Sequence, residues 1–349
     1  MILEQDLKSP TLGDVKKVVR SECFTPSWNW ALSYLAIGLT FYGFTFAFSI
    51  YALQMNLYYL YPIAWFLMGT SVTSLFVLGH DCAHESFTNS KRFNSFIGHM
   101  LFMPSFYPYY AWKYSHHAHH HNTNKLGAPA NSVYYDNAWI PMTTKQYELI
   151  HKRYPVKAFL YRLSRSFLPI GSTMHNLLYH YFPSKFTKDH RKNVYFSYIV
   201  LATLVAISFV YTIYLTDNIF SIFHFWILPA FFFQFWMSLY TFLHHSSEET
   251  EFYEEAEWDQ YKGQILSTLN YTMPKWISLL HFHIDIHTPH HLNIKIPCYR
   301  LPDALRDLKN SKFSEDIFIK EFQLRDYFQT IQTCKLWDLE KRKYVGFPS

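Results

Sequence analysis

Residues 58–84 read YYLYPIAWFLMGTSVTSLFVLGHDCAH, an apolar run of bilayer-crossing length that ends in two histidines four residues apart. About 20 mostly apolar residues cross a membrane as a helix. The i, i+4 spacing of His80 and His84 sets both imidazoles on one face of a helix that continues past the apolar stretch. Counting this run as Tyr58–Gly79, three more stretches pass the same length test: Trp28–Leu53, Val194–Leu215 and Ser221–Leu243. None of the four contains Asp, Glu, Lys or Arg.

Composition points the same way. The chain of 349 residues holds 33 Phe, 28 Tyr and 10 Trp, more than a soluble core of this size uses, and Tyr and Trp favour membrane interfaces. Twenty His stand against four Cys (Cys23, Cys82, Cys298, Cys334), whose spacing fits neither a zinc site nor a disulfide framework. The first 27 residues mix charges, among them Glu4, Asp6 and Lys8, with no apolar centre, so no cleavable signal peptide is expected. A net charge of +5 suits an anionic membrane surface or an acidic partner but decides little else.

Short connections at Gln54–Leu57 and Thr216–Ile219 make each pair of apolar stretches a predicted helical hairpin. Neither connection carries Lys or Arg, whereas the segment from Glu85 to Asn193 carries fourteen, with Lys91, Arg92, Arg191 and Lys192 close to the apolar ends. The positive-inside bias then places both termini and the central segment in the cytoplasm. The expected division is a cytosolic N-terminal segment (1–27), a first transmembrane hairpin (28–79) and a cytosolic or interfacial segment (80–193). A second transmembrane hairpin (194–245) and a cytosolic cap (246–349) follow. Residues Phe93–Tyr110, apolar but interrupted by Pro104 and Pro108, read as an interfacial or re-entrant piece. The last 50 residues read as a soluble, partly helical part of the cap.

Two more histidine clusters lie on the same predicted side. In residues 112–125, WKYSHHAHHHNTNK, His116, His119 and His120 fall at i, i+3 and i+4, but His117, His120 and His121 fit that spacing equally well. His287, His290 and His291 repeat it after Asp285, and His244-His245 ends the fourth apolar stretch. Any one His is ordinarily a surface or hydrogen-bonded residue. This many imidazoles gathered at one membrane face read as a transition-metal site. The three boxes offer eight ligands, more than one four-coordinate zinc takes, and so divide between two ions. Imidazole does not by itself select iron. Oxidation of an unactivated methylene, the chemistry suggested by an apolar bundle under the site, needs a metal that activates dioxygen.

These residues resemble the membrane fatty-acid desaturases, in particular the cyanobacterial-type acyl-lipid Δ12 (omega-6) desaturases. The resemblance runs from about Gly79 to Leu301 and more loosely over nearly the whole chain. It is carried by His80-Asp81-Cys82-Ala83-His84-Glu85-Ser86-Phe87, by the Trp112–Lys125 box, and by Asp136-Asn137-Ala138-Trp139. Phe235-Trp236-Met237-Ser238 leading to His244-His245, and His287–Leu292, complete it. In that family the second box is followed by a residue and then Asn-Thr, which here are Asn122-Thr123 after His121, so the resemblance implies His116, His119 and His120 as ligands. The implied set is His80, His84, His116, His119, His120, His287, His290 and His291, with His245 as ninth by similarity to stearoyl-CoA desaturases. Two departures stand out: Glu85 occupies a position where a basic residue is expected, and His117 and His121 are surplus.

The implied fold is an all-α integral membrane protein, four transmembrane helices in two hairpins under a cytosolic helical cap that holds two irons. Asp81 and Asp285 are expected to orient ligand imidazoles from outside the ligand set. No catalytic group beyond the metal ligands and no bound organic cofactor are expected, and O2 is the co-substrate. Without a His-Pro-Gly-Gly haem signature, electrons come from a separate donor, ferredoxin by resemblance, and Lys152, Arg153, Lys157, Arg162 and Arg165 form a basic face suited to it. The bilayer and its acyl lipids are the other partners, and no nucleic acid is expected. A cyanobacterial source would imply plasma membrane or thylakoid. The rival readings are a di-iron alkane or carotenoid hydroxylase or ketolase and, from another class, a His-rich metal transporter.

Overall fold

The computed structural model describes residues 10–129 and 132–348. The charges at Glu4, Asp6 and Lys8 lie outside the described residues. Among those described, four helices are long and apolar enough to cross a membrane: Trp28–Gln54, Tyr58–Ala83, Lys188–Thr216 and Phe223–His245. We call them the first to fourth long helices. The second and fourth run past the apolar stretches read from the sequence, because the histidines that follow continue the helical ladder. The fourth opens with a π-turn at Phe223–Ile227, just ahead of Pro229, which has no N–H to give the ladder.

The first and second long helices pack together, joined by a turn in which Asn56 adopts positive φ. Thr45 and Ser71 share a hydrogen bond of 2.9 Å across that contact. The second packs as closely on the fourth, where the indole of Trp236 donates to Thr70 Oγ1 at 3.0 Å. Gly69 makes this approach possible, since a Cβ there would meet Phe232 Cβ at 2.5 Å and the carbonyl of Pro229 at 2.8 Å. The second predicted hairpin is splayed. Trp226 of the fourth helix donates to Thr212 of the third beside the turn, but the third then leans on Lys91–Phe102 and Tyr109–His121, where Ser197 Oγ accepts from Tyr110 N and contacts His99.

The segment from Lys91 to His121 doubles back within the molecule. Ser90 caps its first helix. A 3-10 turn at Met103–Ser105 and positive φ at Phe106 reverse the chain, and Tyr109–His121 returns it to the site. Phe106 packs beside Phe209 and into the cluster of Met68, Phe225 and Trp226, so the tip reaches the opening turns of the fourth long helix. Gly98 lets the two arms touch, since the ring of Tyr109 occupies the space its Cβ would need.

The expectation of an all-helical cap needs correction. The fold is mostly helical, but β1 (Leu269–Thr272) pairs in parallel with β2 (Phe318–Glu321), and β3 (Leu336–Asp338) pairs antiparallel with β4 (Lys343–Val345). Arg165 also departs from its reading as a surface cation. It is 2% exposed, donates to the carbonyl of Trp139 at 2.8 Å, and lies against the rings of Trp139, Tyr161 and Phe242.

Candidate metal centre

Four segments bring imidazoles to one buried place. The end of the second long helix supplies His80 and His84, Tyr109–His121 supplies box two, the fourth long helix ends in His245, and the short helix Thr288–Leu292 with its preceding residue supplies His287, His290 and His291. The ring nitrogens form two adjoining groups. His80, His84, His116, His120 and His290 lie within 4.8 Å of one another, and so do His119, His245, His287 and His291. The groups touch where the rings of His120 and His291 stand 4.2 Å apart. All nine residues predicted as ligands fall in these groups.

The surplus histidines point elsewhere. His117 lies outside both groups, stacked on His84 at 5.1 Å, and burial pushes its pKa down to about 4. His121 is exposed. His244 stacks on His287 at 4.0 Å, outside the cluster that its neighbour His245 joins.

Within the first group Nε2 atoms confront one another: His80 and His290 at 3.1 Å, His80 and His116 at 3.1 Å, His120 and His290 at 2.9 Å. In the second, His245 and His287 do so at 2.8 Å. Burial above all, and the neighbouring rings next, hold His84, His116, His120, His287, His290 and His291 well below the ordinary histidine pKa. They are therefore neutral, the form that ligates a metal. Both nitrogens of His84 and Nε2 of His291 are buried without a partner. A buried polar atom left unpaired costs about 1–3 kcal/mol, and a cation in each group would take up one nitrogen of His84 and Nε2 of His291, relieving part of that cost. The donor set fits two transition-metal ions.

A family model described as fatty acid desaturase matches residues 56–316. The chain belongs to the fatty acid desaturase family. It is 32% identical over 337 residues to an sn-1 oleoyl-lipid 12-desaturase of Synechocystis sp., spanning 96% of this chain and 90% of that one. It is 32% identical over 316 residues to the protein of that name from Anabaena variabilis, spanning 88% and 85%. With a chloroplastic omega-6 fatty acid desaturase of Glycine max it shares 31% over 332 residues, spanning 95% and 74%. Membership makes this desaturase an oxidoreductase.

The groups that orient the rings are partly those expected. Asp81 Oδ1 lies 3.1 Å from His80 Nδ1, while Oδ2 accepts from Cys298 N at 2.6 Å, tying box one to the chain beyond box three. Asp285 is a correction: its carboxylate accepts from Met273 N and Ser278 Oγ, not from a ligand imidazole, because its side chain closes the turn that leads into His287. Two residues not singled out for this role do what was expected of it. Asp136 accepts from His119 Nδ1 at 2.7 Å and from the amides of Asn124 and Ala138. Gln264, on a π-turn at Lys262–Leu266, places Oε1 2.7 Å from His291 Nδ1 and donates to the carbonyl of His120. Asp136 opened one of the stretches that carried the family resemblance; Gln264 left no local signal. Glu85, the other departure, bonds Lys113 at 2.9 Å and Lys91 at 3.3 Å. Burial opposes its ionisation, but the two lysines hold its carboxyl down to about 2.

Beneath the rings the desaturase is aromatic. Trp112 stacks on His116 at 4.2 Å and meets Phe76 and Phe102 edge-on, with Tyr107 and Phe233 behind them.

Proposed function

We propose that this chain is an oxygen-dependent acyl-lipid desaturase that inserts a cis double bond at Δ12 of an oleoyl chain. The observation that carries the reading is the pair of adjoining, buried groups of imidazoles set over an aromatic floor. The names of the relatives support position 12. In the reaction two hydrogens leave neighbouring carbons, and dioxygen takes these, two electrons and two protons to become two waters. Iron held by His80, His84, His116, His120 and His290 on one side, and by His119, His245, His287 and His291 on the other, would supply the oxygen-activating redox chemistry a methylene demands.

The chain's own residues supply position. Asp81, Asp136 and Gln264 engage Nδ1 of His80, His119 and His291, which leaves Nε2 with its lone pair directed inward. Trp112, Phe76 and Phe102 exclude water and offer an apolar wall along which an acyl chain lies.

The four long helices cross the bilayer, both termini and the boxes face the cytoplasm, and residues 246–349 form the cap. A separate carrier of the ferredoxin type delivers the electrons. The test is the fatty-acid methyl ester profile, by gas chromatography and mass spectrometry, of a ferredoxin-competent host expressing the chain or its His290→Ala variant. A linoleate-type peak that vanishes in the variant is expected. Oxygen added to lipids or pigments instead would overturn desaturation in favour of hydroxylation.

A further inference from the structure

The helix Pro155–Ser166 has two opposed faces, and the protein covers only one. Ala158, Tyr161 and Arg165 turn inward, with Ala158 1% and Arg165 2% exposed. Val156, Phe159, Leu160, Leu163 and Phe167 recur at i, i+3, i+4, i+7 and i+11, which at 100° per residue centres their stripe opposite the inward one. Val156 is 69% and Phe159 63% exposed. The stripe does not end with the helix. The ring of Phe167 lies 6.4 Å from that of Phe231 on the outer flank of the fourth long helix. The next helix, Leu168–His180, joins the fourth long helix to the third, through Ser172 to Gln234 at 2.6 Å and Tyr198 to the carbonyl of His180 at 2.7 Å. Leu177 and Leu178 face out from it.

The charge is one-sided. From Leu149 to Lys188 the chain has no Asp or Glu and seven Lys or Arg. Lys157 and Arg162, both exposed, flank the stripe on either side, where long basic side chains lie along an apolar surface and lift their charge to its edge.

We propose that residues 149–182 form a non-spanning membrane anchor whose first helix, Pro155–Ser166, lies in the bilayer interface and takes acidic lipid headgroups. It rests on the reading that the four long helices cross a bilayer. A soluble acidic carrier would satisfy the basic residues but not a stripe that runs on from the flank of a membrane helix. A second copy would set basic residue against basic residue. Acyl chains under acidic phosphates satisfy both features. The anchor bears on the metal centre, because His180 Nε2 lies 2.9 Å from Ser115 Oγ on the helix of box two.

The four native cysteines are buried, so an introduced one takes a label selectively. The full-length protein carrying a nitrobenzoxadiazole label at Phe159→Cys is placed in nanodiscs of phosphatidylcholine with or without phosphatidylglycerol. Ile207→Cys on the third long helix marks the bilayer and Lys309→Cys marks water. Lipid-borne nitroxide is expected to quench the labels at 159 and 207 and spare 309. Quenching at 159 should rise with phosphatidylglycerol, and that rise should be lost in the Lys157→Gln, Arg162→Gln double variant. Quenching at 159 by aqueous nitroxide while 207 stays lipid-quenched overturns the anchor and leaves the membrane reading standing. Shielding from both quenchers overturns it in favour of a protein occupant, and no response to phosphatidylglycerol overturns the preference for acidic lipid. Aqueous quenching at 207 removes the membrane reading and the anchor with it.

Discussion

The second and fourth long helices and the first and third look alike in sequence but differ in the structure. In the apolar window of the second 72% of residues are buried, and in that of the fourth 56%; the first and third bury 22% and 11%. The inner pair carries the polar interior, with Thr70, Ser71, Thr73, Ser74, Gln234 and Ser238 all buried, and both helices end in histidines of the metal centre. The outer pair presents Phe44, Ile199, Ile207 and Val210 outward. Apolarity measures the wish to leave water, which lipid and protein satisfy equally. Composition does not separate the pairs either, since the first helix holds six Gly, Ser and Thr against two in the fourth; what counts is which of these residues meet a neighbouring helix, as Gly69, Thr70 and Ser71 do.

Substitutions at the ends of the inner pair should have the largest effects. His245→Ala is expected to lose bound metal and more than about 100-fold in activity, beyond the range seen for groups outside the ligand shell. His244→Ala, one residue away but turned from the cluster, should keep most of both; metal content by mass spectrometry and turnover read the contrast. A reversed result would break the assignment of the fourth helix to the site.

Next come the residues that hold the rings. Asp136→Asn should weaken metal binding about 10–100-fold, whereas Asp285→Asn, whose carboxylate serves a turn, should shift thermal stability more than metal affinity. Competition with a chelator separates the two.

The packing contrast is sharpened by two glycines. Gly69→Ala, pressed against Phe232 and the carbonyl of Pro229, should destabilise by about 1–3 kcal/mol. Gly43→Ala on the outer first helix, with nothing within 4 Å of the new methyl, should be neutral or stabilising by up to about 1 kcal/mol, the difference in helix propensity. Unfolding in detergent, followed by tryptophan fluorescence, measures both.

The smallest effect belongs to the rim of the site. Glu85 titrates at about 2 in the folded chain against an ordinary 4.5, so its ion pairs stabilise fully above 4.5 and lose that contribution as the pH falls toward 2. The stability difference between parent and Glu85→Gln should be no more than about 1 kcal/mol at neutral pH and shrink to nothing at the acid end. A difference that persists at low pH would mean the pairs with Lys91 and Lys113 are not its source.

Much of this protein is legible one residue at a time. Four runs free of charge, one followed by histidines at helical spacing and another by an adjacent pair, set the number of long helices and the end at which imidazoles gather, because hydrophobic length and the 3.6-residue turn are local properties. The three boxes were readable for the same reason. Periodicity alone left His116, His119 and His120 level with His117, His120 and His121, and the family resemblance, not geometry, broke that tie. Only the tertiary structure decided which neighbours the rings meet. His245 joins the cluster and His244 does not, its ring lying instead against that of His287. Asp136 and Gln264 reach rings 17 and 27 residues away, Arg165 is buried where its charge had placed it outside, and Pro155–Ser166 turns an apolar face outward. Each depends on contacts between segments distant in the chain, whose energies no local pattern records.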